Sequence, residues 1–138
     1  MIRLLIDTNV VLDLLAKREP FYNSAARIFS LADRNKLSLH ISSLSFANTN
    51  YVLSKIKSTN ESREILRRFR VLVKIIALND KIIDLALNDK KFQDFEDGLM
   101  YYTGIENNID VIITRDLKDF KGSKIPVMTP NEYLNSKK

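Results

Sequence analysis

Ile2-Arg3-Leu4-Leu5-Ile6-Asp7-Thr8-Asn9-Val10-Val11-Leu12-Asp13-Leu14-Leu15 opens the chain with an apolar run that ends on an acid. Residues 2–6 read as a short buried strand. Asp7-Thr8-Asn9 stops it, with Thr8 or Asn9 placed to cap a helix over 10–17. The alternation continues downstream. Pro20 starts a second helix, with Ala25, Ala26, Ile28, Phe29, Leu31 and Ala32 at helical spacing, and 37–42 form a second strand. Residues 43–56 carry an apolar stripe at Leu44, Ala47, Tyr51 and Val52 and read as a helix. Ser58-Thr59-Asn60-Glu61 reads as a capping box for a helix bearing Ile65, Leu66 and Phe69. A third strand over 71–78 and a helix over 81–88 follow. The next helix, 94–106, has Leu99, Tyr102 and Ile105 on one face. Residues 111–114 read as a strand buried on both faces, and 125–128 as the last strand. Thr129-Pro130-Asn131-Glu132 is a second capping box with proline at the first helical position. Strands alternating with helices predict a three-layer α/β fold with a mainly parallel central sheet flanked by helices, in a single domain over 1–138.

Composition narrows the chemistry. The 138 residues are 45% hydrophobic and 28% charged, enough apolar material for one core. With no cysteine, a disulfide framework, a thiolate nucleophile and cysteine-ligated zinc or iron–sulfur sites are excluded. His40 is the one histidine, so multi-histidine metal sites are excluded as well. Three glycines leave no GxGxxG and no GxxxxGK[ST] phosphate loop. The apolar runs are too short to span a membrane, and the N-terminus meets Asp7 too early for a signal peptide, so a cytoplasmic setting is expected. A net charge of +5 points to an anionic partner, nucleic acid first.

In parallel α/β sheets ligands bind beyond the carboxyl ends of the strands, where strand order reverses. Asp7 ends the first strand, Asp116 follows the fourth by two residues, and Asp119 lies three further on. A parallel sheet brings Asp7 and Asp116 out at the same edge. Asp94 and Asp97, at i and i+3, share one side of their helix, with Glu96 on another. A conventionally packed helix there is expected to start at the opposite edge, so the approach of Asp97 depends on the turn through 92–95. Converging carboxylates raise one another's pKa, and a cation relieves them. Oxygen donors without His or Cys select hard cations, Mg²⁺ or Mn²⁺. Each acid alone also reads as an ordinary turn, first-turn or capping residue.

Four segments carry a resemblance when taken in order. They are residues 4–15, quoted above; Ile41-Ser42-Ser43-Leu44-Ser45-Phe46-Ala47-Asn48; Asp94-Phe95-Glu96-Asp97-Gly98-Leu99; and Ile109-Asp110-Val111-Ile112-Ile113-Thr114-Arg115-Asp116-Leu117-Lys118-Asp119-Phe120. Together they resemble the PIN-domain family, which includes VapC-type toxin ribonucleases. The resemblance implies a Mg²⁺- or Mn²⁺-dependent endoribonuclease acting on RNA, with Asp7, Asp97 and Asp116 holding the metal and serving catalysis. It gives Thr8 and Thr114 the role of orienting a carboxylate or a water, and makes Asp94, Glu96 and Asp119 supporting acids. It also implies a small antitoxin protein as partner, and a homodimer. One position departs from the family: its usual second acid falls on Asn48. An amide oxygen ligates a hard cation without contributing charge, so a catalytically weakened PIN-fold module that binds RNA or protein stands as the alternative. A haloacid-dehalogenase-type phosphotransfer site is disfavoured by Asn9, which stands where a second aspartate is needed.

Other residues also invite a reading. Gly98 suits a close approach of its helix to the first strand. His40 reads as a half-buried strand histidine. Arg115 reads as a contact to the scissile phosphate or a partner in a local salt bridge with Asp116 beside it. Lys55, Lys57, Arg63, Arg67, Arg68 and Arg70 read as an RNA-backbone track, a solvated helix face or a surface for an acidic partner segment.

Overall fold

The computed structural model describes residues 1–137. Five parallel strands, β1 (Arg3–Ile6), β2 (Ser38–Ser42), β3 (Lys74–Ile76), β4 (Val111–Ile113) and β5 (Val127–Met128), lie in the order β3-β2-β1-β4-β5. Helices α1 (Thr8–Leu15), α2 (Tyr22–Asp33), α3 (Ser43–Ile56), α4 (Thr59–Arg70), α5 (Asp80–Asn88), α6 (Phe95–Glu106) and α7 (Pro130–Ser136) join and flank them. The sheet is all-parallel, which sharpens the expectation of a mainly parallel one.

β1 is the central strand, and its sequence shows why. Leu4, Leu5 and Ile6 are each wholly buried, because both neighbours are strands and both faces are covered. Side chains alternate across a strand. Leu4 and Ile6 enter the core built with α1, α2, α3, α4 and α7, while Leu5 enters the one built with α6 around Phe92, Met100 and Tyr101. A smaller cluster of Ile82, Ala86 and Leu99 joins α5 to α6. Among the described residues, these are the two helical layers of a three-layer domain.

Strand order reverses between β1 and β4, after α5 and α6 carry the chain back across the other face of the sheet. A crossover helix runs antiparallel to the strands it joins, so α6 starts at their carboxyl edge. This corrects the expectation that it starts at the opposite edge, and it brings Asp97 to the side where Asp7 and Asp116 emerge.

Several boundaries differ from the sequence reading for local reasons. α1 starts at Thr8 because Asp7 is its cap: Asp7 Oδ1 accepts from Thr8 N at 2.8 Å. Thr8 and Asn9 already lie inside the helix. Asp94 likewise precedes α6 as its cap, accepting from the backbone N–H of Glu96 and Asp97, rather than sharing a helical face with Asp97. Ser58 caps α4 through Glu61 N alone, so that box is half made, whereas the Thr129–Glu132 box is complete. β3 is an edge strand of three residues, with Val71 84% exposed before it. Ile105 is exposed at 38%, and buried Tyr101 takes the place expected for it on the packed face of α6. Gly98 approaches α5 rather than β1: a Cβ there would meet Ala86 Cβ at 3.5 Å. Gly104 is the glycine that lets α6 close on β1, since a Cβ there would lie 3.6 Å from Leu5 Cδ2 and 2.9 Å from Ile125 Cδ1. His40 is 2% exposed, more deeply buried than expected. Burial, with the charges of Arg3 and Lys74, lowers its pKa to about 4, and its Nε2 lies 3.0 Å from Ser38 Oγ.

Leu5→Ala removes a side chain shared by β1, β4 and α6, and is expected to cost about 2–5 kcal/mol in urea unfolding. Val71→Ala is expected to stay within about 0.5 kcal/mol. Comparable costs for the two would contradict this account of the core.

Candidate active site

Asp7 extends the β1 ladder by one bond, Asp7 N to Ile113 O at 2.9 Å, and then turns the chain into α1. Its carboxylate is held on both oxygens. Thr8 N donates to Oδ1 at 2.8 Å, and Thr114 Oγ1 donates to Oδ2 at 2.8 Å. Thr114 is wholly buried and also accepts from Asp116 N at 3.1 Å, so one hydroxyl orients Asp7 and tightens the turn that presents Asp116. Asp116 leads into a 3-10 turn, Leu117–Phe120, that carries Asp119.

Asn9 is the residue the sequence reading missed. Its Oδ1 accepts from Arg115 N at 3.3 Å, which fixes the amide orientation. Its Nδ2 then reaches Asp116 Oδ2 at 3.2 Å, and Asp7 Oδ2 and Thr114 Oγ1 at 3.4 Å each. The signal was present in Asp7-Thr8-Asn9 at a strand end, but Asn9 read as a cap and as the lack of a second aspartate, not as a bridge between carboxylates. Ser42 and Ser45, also unforeseen, follow the same rule: Ser42 ends β2 and caps α3 by accepting from Ser45 N at 3.0 Å.

These elements enclose a cleft of about 340 Å³. Asp7, Asp97 and Asp116 all line it, with Thr8, Asn48, Asp94, Glu96 and Asp119. Thr114 lies buried beneath as a support. Arg115 is outside: its guanidinium bonds Asp13 at 2.7 and 3.2 Å and stacks on the Phe21 ring at 3.9 Å. Its ion pair is therefore with Asp13, not with the adjacent Asp116, and its direction is away from the cleft. Six of the chain's 17 acidic residues line the cleft, and among the described residues no Lys or Arg does.

That imbalance has an electrostatic cost. The Asp97 carboxyl is pushed up to about 7, first by burial and then by Asp94, Asp119, Asp7 and Asp116. Burial also raises Asp7, against the hydrogen bonds from Thr114 and Thr8, with Asp116 and Asp119 adding to the rise. Among the described residues no three acidic or histidine side chains stand together as a finished metal site. The donor set nevertheless fits a hard divalent cation. It consists of oxygens only, it carries excess negative charge, and its carboxyls are ones whose ionisation a cation would restore.

Sheet, reversal and cleft together define a three-layer α/β domain with an acidic site at its topological switch point. The chain belongs to the PIN domain family, which it matches over residues 3–118. It is 28% identical over 134 residues to Ribonuclease VapC1 of Aquifex aeolicus (strain VF5), a match spanning 95% of this chain and 92% of that one. Its fold is similar to a chain of the VapBC2 complex of Rickettsia felis bound to a promoter DNA fragment, with TM-score 0.71, 21% identity, and coverage of 92% of this chain and 97% of that one. A toxin–antitoxin complex from Klebsiella pneumoniae contains a similar chain, with TM-score 0.69, 22% identity, and coverage of 91% and 96%. Among the described residues no helix is long and apolar enough to cross a membrane.

The raised Asp97 pKa has a definite sign for stability. Its folded pKa of about 7 exceeds the ordinary 3.8, so the folded chain holds a proton that the unfolded chain releases between those values. The metal-free protein therefore gains stability as pH falls from above 7 towards 4 on account of this group. Asp97→Asn is expected to stabilise the metal-free protein at pH 8 by about 1 kcal/mol, the full shift being discounted because the carboxyl is partly solvated, and to leave stability near pH 4 unchanged. Thermal melts at both pH values check this, and a variant less stable at pH 8 would contradict it.

Proposed function

We propose that this protein is a divalent-metal-dependent endoribonuclease that hydrolyses RNA phosphodiester bonds, and that it is the toxin of a toxin–antitoxin pair. The observation that carries the reading is the gathering of Asp7, Asp97 and Asp116 in one cleft with no basic side chain. A phosphodiester is repelled by such a cleft unless a cation stands between them. The relative named a ribonuclease and the structural neighbour in a toxin–antitoxin complex support the substrate and the kind of partner. A cytoplasmic homodimer belongs to the same reading.

Asp7, Asp97 and Asp116 would hold Mg²⁺ or Mn²⁺ through carboxylate oxygens. Bound there, the ion would supply an activated water and neutralise charge on the phosphoryl group. The chain's own contribution is preorganisation. Thr114 Oγ1 and Thr8 N fix the Asp7 carboxylate, and the Asn9 amide spans Asp7 and Asp116 so that they face the cleft together. Leu44, Leu78, Leu99 and Met100 give the cleft apolar lining that limits competing water. Asp94, Glu96 and Asp119 add negative charge that favours a cation over an anion as first ligand.

Asp7→Asn is expected to abolish manganese binding in calorimetry and to lower cleavage of single-stranded RNA by about 10²-fold or more, the scale set by losing a group that orients and stabilises the reaction. Circular dichroism should stay unchanged, because asparagine keeps the capping oxygen. Undiminished metal-dependent cleavage would refute the site.

A second reading, a PIN-fold module that binds RNA or protein with weakened catalysis, is favoured by Asn48, which lines the cleft as a neutral amide. Asn48→Glu adds a carboxylate at that wall and is expected to tighten manganese binding about tenfold. No gain in the titration would remove Asn48 as the reason for a weakened site.

A further inference from the structure

α3 separates the acidic cleft from a second concavity of opposite charge. Ser45 and Asn48, three residues apart, line the cleft. Phe46, Ala47 and Asn50 turn to the other side and line a groove of about 470 Å³ between α3, α4 and the edge strand β3. Leu66 and Ile75 give this groove further apolar lining, and Arg63, Arg67 and Arg70 supply its charge, with no acid among the lining residues.

The polar groups of the groove are donors. Asn50 Oδ1 accepts from Ser62 Oγ at 3.0 Å, which leaves its Nδ2 as a donor. Arg70 gives one N–H to Val73 O at 3.2 Å and keeps the others. Arg67 pairs with Glu64 at 3.1 Å, but the two side chains are 69% and 53% exposed, so the pair is weak and exchangeable. Arg63 makes no ion pair among the described residues.

We propose that this groove holds the RNA strand adjoining the scissile phosphate, with Arg63, Arg67 and Arg70 on its backbone phosphates; the assignment rests on the ribonuclease reading above. An RNA strand entering the acidic cleft meets no basic side chain there, so its neighbouring phosphates need cations elsewhere. This groove offers them one helix width away, about 10–12 Å. A phosphodiester accepts hydrogen bonds and donates none, which matches the donors that are the few polar groups of this mainly apolar groove. The apolar patch of Phe46, Leu66 and Ile75 suits the base faces of a single strand. An acidic peptide also answers the charge, but it brings a backbone N–H at each residue to a lining with no carboxylate or hydroxyl to receive it.

The test uses the full chain carrying Asp7→Asn, so that bound RNA is not cut, with and without Arg63→Gln plus Arg67→Gln. Anisotropy of a labelled single-stranded RNA oligonucleotide is read across a salt series. The double change is expected to weaken binding about tenfold or more and to flatten the logarithmic salt dependence by about 0.7 for each phosphate left without its arginine. Arg63→Lys plus Arg67→Lys should retain most of that slope, and urea melts check that the fold is intact. Unchanged affinity and slope would overturn the assignment. Loss of polyglutamate binding with RNA binding unchanged would also overturn it, and would make the groove a protein-docking surface. An unsubstituted chain that binds RNA through these arginines but never cuts it would instead refute the ribonuclease reading and leave the groove assigned.

Discussion

Repulsion between carboxylates is the constraint around which the rest of this structure is arranged. A parallel sheet sends every strand out at one edge, and the reversal of order between β1 and β4 opens a crevice there. Asp7, Asp116 and Asp119 reach that crevice from strand ends, and Asp94, Glu96 and Asp97 from the start of α6. Left to themselves, these groups would move apart or take up protons. The fold counters the first tendency with geometry, pinning Asp7 at both oxygens, and accepts the second at Asp97, whose carboxyl is pushed up to about 7. Buried strand residues on both sides of the sheet offset the cost. A site of this kind costs stability while its charge is uncompensated, and a cation bound there would offset that cost.

The turn after β4 shows how that geometry is enforced from outside the cleft. Asp13 is 1% exposed and receives Arg18 at 3.0 Å and Arg115 at 2.7 Å. Such a triad, a buried carboxylate between two partly exposed guanidiniums, is weak support for stability, since desolvating Asp13 consumes much of the attraction. Its consequence is positional. Arg115 is clamped to α1 by its side chain and to Asn9 by its backbone N–H, so the turn between Thr114 and Asp116 has little room to shift. The Arg18 guanidinium also donates to Asn9 O at 3.0 Å, which closes the network on the residue whose amide spans the two acids. The arginine adjacent to a candidate ligand thus acts on the site through the backbone rather than through a phosphate.

The sequence revealed this architecture unevenly, for physical reasons. Short apolar runs such as Leu4-Leu5-Ile6, ended by turn residues and alternating with helical patterns, suit strands covered on both faces, so the parallel sheet was readable. The acids were readable because strand ends are where such a sheet presents chemistry. Partners set by tertiary contact were not. Asn9 has the same local sequence whether it caps a helix or reaches a carboxylate 107 residues away. Gly98 and Gly104 look alike on α6, and only the packing shows that Gly104 is the one facing β1. Arg115 beside Asp116 suggests a neighbouring pair, yet its partner is Asp13, 102 positions away. The start of α6 was misplaced because the sequence reading set the crossover helix running the wrong way relative to the strands.

The net charge of +5 conceals a division that matters more than the total. One side of α3 faces a cleft of carboxyls without a cation, and the other faces a groove of guanidiniums without an acid. Asn48 stands on the cleft side of that helix. A carboxylate there would add to the repulsion that, after burial, helps raise the Asp97 carboxyl to about 7, and would deepen the cost of the uncompensated cleft. An amide gives up that charge and spares the repulsion, while keeping an oxygen able to face a cation. On the metal-dependent reading proposed above, an amide at this position lowers the cleft's hold on a cation and steadies the protein without one. Under that reading, a chain that must persist folded before the ion arrives would gain from that exchange, provided the remaining acids still capture it.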